Sequence, residues 1–77
     1  MHDRLAAVLR GFREARGVSQ RELARRLGTN QTQVSLIEGG AQAVRVVELV
    51  EWCRALGVSP MDALEFAIEE TPAPDAG

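Results

Sequence analysis

The chain has one cysteine and one histidine in 77 residues. A lone Cys53 excludes an internal disulfide framework, and with only His2 beside it a Cys/His metal cluster is excluded as well. No run of about 18 apolar residues occurs, so no membrane span is expected. The start, Met1-His2-Asp3-Arg4, lacks the basic stretch and apolar core of a secretion signal. A cytoplasmic protein without metal, cofactor or small-molecule ligand is therefore expected. No Ser/His/Asp or Cys/His constellation and no phosphate-cradling glycine loop is present, so the residues do not describe an enzyme. A chain of 77 residues makes one domain with a small core.

Positive charge is scarce too, with a net charge of −2, but it is unevenly placed. Residues 1–40 carry seven arginines and a net +3, whereas residues 41–77 carry Arg45 and Arg54 against seven acids, a net −5. A basic half joined to an acidic half suits a protein that turns one face toward phosphates.

Apolar spacing and stop signals predict an all-α bundle of five helices. Asp3 is read as the cap of a first helix over about Arg4 to Arg16, with Leu5, Val8, Leu9 and Phe12 as its stripe and Gly17 as its stop. Ser19-x-x-Glu22 has the form of a capping box and opens a short helix over Gln20 to Leu27. Gly28 ends it, and Asn30-x-x-Gln33 opens a third helix over Gln31 to Glu38. Val46, Leu49, Val50, Cys53 and Leu56 mark a fourth, with Trp52 placed in the core or at a subunit contact. Ser59-Pro60 restarts the chain into a fifth, whose stripe is Met61, Leu64, Ala67 and Ile68, with Phe66 off it. The domain is assigned to 1–70, and 71–77, TPAPDAG, to a tail without fixed structure.

The second and third helices, joined by Gly28-Thr29-Asn30, have the short Gly-containing link of a helix-turn-helix. Leu9-x-x-Phe12-Arg13-x-x-Arg16-Gly17-Val18-Ser19-Gln20-x-Glu22-Leu23-Ala24-x-x-Leu27-Gly28 resembles the opening of the Cro/repressor-like helix-turn-helix regulators. Gln33-Val34-Ser35-x-Ile37-Glu38-x-Gly40 and Arg54-Ala55-Leu56-Gly57-Val58-Ser59-Pro60 continue that pattern. The resemblance implies a lambda-repressor-like domain that binds double-stranded DNA, with its third helix in the major groove and commonly as a homodimer. It implies a phosphate contact for Gln20 and an ion pair between Arg13 and Glu38. Gln31, Thr32, Gln33, Ser35 and Leu36 become the candidate base contacts. Arg13, Arg21, Arg25 and the Gly40 amide become candidate phosphate contacts, with Arg10, Arg16 and Arg26 equally able to be surface charge.

The third helix carries no Arg or Lys, and the segment after Glu38, Gly39-Gly40-Ala41-Gln42-Ala43-Val44, carries no charge. A bidentate arginine–guanine contact from that helix is thus excluded, and a shallow salt dependence is expected. Such a protein needs a second copy, a protein partner (a toxin or another regulator) or a second half-site. Val44, Val46, Val47, Leu64, Phe66, Ala67 and Ile68 exceed what a small core requires and are candidates for a two-fold interface. An interaction module built on the same fold is the alternative function.

Overall fold

The computed structural model describes residues 2–70, and the side chains of residues 4–68. Five helices follow one another: α1 (His2–Ala15), α2 (Gln20–Leu27), α3 (Gln31–Glu38), α4 (Val46–Leu56) and α5 (Pro60–Glu70). The tail at 71–77 lies outside the described residues, as does the His2 side chain. Helix α1 begins at His2, so Asp3 lies inside it rather than ahead of it.

Side-chain capping sets the boundaries of the short helices. Ser19 Oγ accepts from the Glu22 amide at 3.0 Å, and Asn30 Oδ1 from the Gln33 amide at 2.9 Å. Each bond satisfies an orphan donor of a helix start. The reciprocal half of the Ser19 box does not form, because the Glu22 carboxylate turns to Arg25 and Arg26. Helix α4 is capped the other way round: Glu48 Oε1 reaches back to the Arg45 amide at 2.9 Å. The sequence reading missed this cap because arginine has no acceptor and is not a capping residue.

Gly28 makes the turn of the helix-turn-helix. It sits at φ 72°, where a Cβ is strained, and its N–H donates to Arg25 O while Thr29 N–H donates to Ala24 O. The same pair of bonds closes α3 around Gly40, at φ 76°: Gly40 N–H to Ile37 O at 3.1 Å and Ala41 N–H to Leu36 O at 3.0 Å.

The core joins Leu5 and Leu9 of α1, Leu23 and Ala24 of α2, and Val34 and Ile37 of α3 to Leu49, Trp52, Cys53 and Leu56 of α4. Trp52 is 1% exposed and is a core residue. Burying a side chain of this kind stabilises the fold by roughly 1.5–3 kcal/mol. Cys53 is wholly buried, and that burial pushes its thiol pKa up, away from the reactive thiolate.

Helix α5 departs from its predicted stripe. Ala63 and Ala67 are its fully buried residues, while Met61 is 63% and Ile68 58% exposed. Small side chains let α5 lie close on α1, and close approach rotates the bulkier positions outward. Phe66 then meets Phe12 edge to face, with ring centroids 5.8 Å apart. Val46, read as part of the α4 stripe, is 78% exposed. The proposed interface set narrows accordingly: Ala67 is core and Val44 and Leu64 pack against it, leaving Val46, Val47, Phe66 and Ile68 outside, with Met61.

Candidate nucleic-acid interface

One chain of hydrogen bonds runs from the core to the outer face of α3. The Arg13 guanidinium grips Glu38 with one edge, Nε to Oε2 at 2.5 Å and Nη2 to Oε1 at 3.0 Å. Its remaining nitrogen, Nη1, donates to Val18 O at 2.7 Å. The hydrogen bond to Glu38 raises the pKa of Arg13, with burial opposing it. Glu38 Oε1 also accepts from Gln20 Nε2 at 2.9 Å. A carboxylate can only accept, so the Gln20 amide must turn its nitrogen inward and its oxygen outward. That oxygen faces Gln31 Nε2 at 3.4 Å. The buried pair thus fixes Gln20, and Gln20 orients the first residue of α3.

Gln20, Gln31, Thr32, Ser35 and Leu36 line one shallow concavity. Gln31, Thr32 and Ser35 are exposed, and Leu36 is 41% exposed. These are the residues that an α-helix would present to base edges from its first two turns. Gln33 does not join them. It is half-buried on the opposite side of α3, in a cleft lined also by Thr29, Glu48, Glu51 and Trp52. Helical geometry places position 33 about 200° from position 31, a rotation that the sequence string hides.

The candidate phosphate residues divide. Arg21 and Arg25 line a second concavity with Ser19, Asn30 and Gln31, adjoining the first through Gln31. Arg13 does not share their role. It is 8% exposed and its guanidinium is engaged with Glu38 and Val18, so the structure supports its ion pair and not a phosphate contact. The Gly40 N–H is likewise engaged, in the turn that closes α3.

Glu22 controls the charge on α2. Its carboxylate accepts from Arg25 Nη2 at 2.6 Å and from Arg26 Nε at 2.9 Å. Hydrogen bonds from Arg25 first, then Arg26, lower its pKa from 4.5 to about 2. The folded value is depressed, so this stabilisation is complete above pH 4.5 and is lost as pH falls toward 2. A carboxyl NMR titration of Glu22 is expected to give a midpoint near 2; a midpoint at the ordinary 4.5 would mean that the two arginines do not hold it.

Among the described residues no group of acidic, Cys or His side chains could hold a metal ion, and no helix is long and apolar enough to cross a membrane.

Comparison with known proteins places this geometry. The profile of the family described as "Helix-turn-helix domain" matches residues 4–66. The clp gene regulator ClgR from Corynebacterium glutamicum superposes with a TM-score of 0.87 at 34% identity, over 95% of each chain. An XRE-family like protein from Pseudomonas syringae gives 0.82 at 35% identity, over 92% of this chain and 87% of that one. The restriction-modification controller protein C.AhdI from Aeromonas hydrophila gives 0.72 at 30% identity, over 78% and 91%. No curated protein matches the chain.

Proposed function

Since the chain belongs to the helix-turn-helix domain family, of the Cro/repressor-like XRE type, we propose that it is a transcription regulator that binds double-stranded DNA sequence-specifically. It is a binding protein rather than an enzyme, it works in the cytoplasm, and it represses by occupying its site. Helix α3 enters the major groove, where Gln31, Thr32, Ser35 and Leu36 meet base edges. The first amides of α2 receive a phosphate, with Arg21 and Arg25 beside them, while Gln20, whose outward atom is an acceptor, serves to orient Gln31.

The observation that carries this reading is the grouping of Gln31, Thr32, Ser35 and Leu36 along one concavity of α3, beside Gln20. A base-reading amide must present its donor and acceptor in a set order, and the Arg13–Glu38–Gln20 chain biases Gln31 toward one through a 3.4 Å contact. Preorganisation of this kind removes an ordering cost from binding.

A monomer whose reading helix carries no cation binds weakly, so the functional form is a homodimer on a two-fold site. The exposed Val46, Val47, Met61, Phe66 and Ile68 are the apolar residues with surface to bury in it.

Selection of bound fragments from random genomic DNA, across a salt series, tests the proposal. The expected product is a two-fold consensus with half-sites separated by about 10 base pairs or a multiple. Absence of enrichment even at low salt would overturn it in favour of an interaction module with a protein partner. Light scattering at micromolar concentration is expected to find a dimer; a strict monomer, free and DNA-bound, would refute the two-fold form.

A further inference from the structure

Two arginines of the basic half point away from the reading face, to the carbonyl end of α4. Arg26 Nη1 donates to Ala55 O at 3.0 Å, and Arg16 Nη2 donates to Gly57 O at 3.2 Å. These carbonyls close a helix whose last turn carries orphan acceptors and the negative end of its dipole. Arg26 comes from α2, the first helix of the helix-turn-helix, and Arg16 from the turn after α1. Glu22 holds the Arg26 guanidinium from its other edge, Nε to Oε2 at 2.9 Å. Arg26 therefore bridges the helix-turn-helix to α4 through a planar fork, which a lysine cannot copy.

Arg21 has the opposite character. It is exposed and makes no hydrogen bond or ion pair within the described residues.

We infer that Arg16 and Arg26 are positioning residues, clamping the C-terminus of α4 against the DNA-reading unit, and that Arg21 is a phosphate-neutralising cation of α2. This rests on the proposed DNA binding, which it deepens by dividing the arginines into cations that release counterions and cations that hold the frame. Counting every arginine of the basic half as a phosphate contact would predict a steep salt dependence; this division predicts a shallow one.

The test uses the whole chain and a duplex carrying the selected consensus, with binding measured by fluorescence anisotropy over a salt series. Arg21→Ala is expected to reduce the slope of log K against log salt by about 0.9, the value for one phosphate. Arg26→Ala and Arg16→Ala are expected to weaken binding by about three- to tenfold, as for one lost hydrogen bond, with the slope unchanged. Arg26→Lys keeps the charge but not the fork, and is expected to behave like Arg26→Ala. A slope reduced by Arg26→Ala and restored by Arg26→Lys would overturn the assignment. So would unaltered affinity at all salt concentrations.

Hydrogen exchange without DNA supplies an independent arm. The Gly57 and Val58 amides, bonded to Arg54 O and Cys53 O at 3.2 and 2.9 Å, close the end of α4. Their exchange is expected to accelerate in Arg26→Ala. Unchanged exchange would refute the clamp even if no DNA were bound by any variant, in which case the DNA-binding proposal would fail separately.

Discussion

Glu38→Ala is expected to lower the melting temperature by more than about 10 °C. The substitution leaves Arg13 buried without its counter-charge, and breaking a buried pair from one side costs about 3–5 kcal/mol. A domain of this size loses about 4–8 °C per kcal/mol. Both groups meet the conditions for the full effect: the Glu38 side chain is 3% exposed and that of Arg13 10%. Replacing both partners by apolar residues, Arg13→Met with Glu38→Leu, is expected to recover part of the loss, because no buried charge then remains. Recovery is incomplete because Val18 O and Gln20 Nε2 lose their partners. Thermal melts followed by circular dichroism decide the matter. A Glu38→Ala variant that melts with the parent would show that the pair holds nothing together.

Gln31→Ala is expected to weaken binding to the selected duplex by about 5- to 150-fold, the range of 1–3 kcal/mol for a bidentate base contact. The salt slope should not change, because no charge is removed. The loss should also be local. On a duplex in which the base pair facing Gln31 is altered, parent and variant should bind alike. Equal weakening on both duplexes would assign Gln31 to the scaffold rather than to readout. Gln20→Ala is the companion: it removes the group that orients Gln31, and its effect should shrink when Gln31 is already alanine.

The two experiments probe opposite ends of one hydrogen-bonded chain, and they separate stability from recognition. Glu38 acts on both, because its carboxylate ties Arg13 into the core and dictates which way the Gln20 amide turns. Gln31 sits on the surface and contributes little to folding. Loss of DNA binding in Glu38→Ala below its melting temperature would therefore report on orientation alone.

Much of the frame was legible in the sequence because its signals are local. Ser19, Asn30 and Gly28 mark helix ends through bonds within a few residues of themselves, and the observed α2 and α3 match the spans read from them. The run Gln31-Thr32-Gln33 looks uniformly polar, and the fold sets Gln33 apart from Gln31, in a cleft with Glu48 and Trp52. Of the α5 stripe, Leu64 and Ala67 face the core and Met61 and Ile68 do not, because Ala63 takes the contact: hydrophobic periodicity weights large side chains, whereas close helix contact selects small ones.

Seven arginines in the first forty residues give the chain a basic half, and one Cys and one His leave it no disulfide pair and no Cys/His cluster. Those are properties of composition and need no fold. Which arginine does what is a tertiary matter. Arg13 is drawn inward by a carboxylate 25 positions away, whereas Arg26 and Arg16 stay exposed but are tied by carbonyls 29 and 41 positions away. A guanidinium is mobile until a fixed acceptor meets it, and those acceptors reach their places only when the helices pack. The sequence by itself determined that there are five helices, the ends of α2 and α3, and the absence of cations from α3. Packing decided which cations are engaged by fixed acceptors and which are left to meet a phosphate.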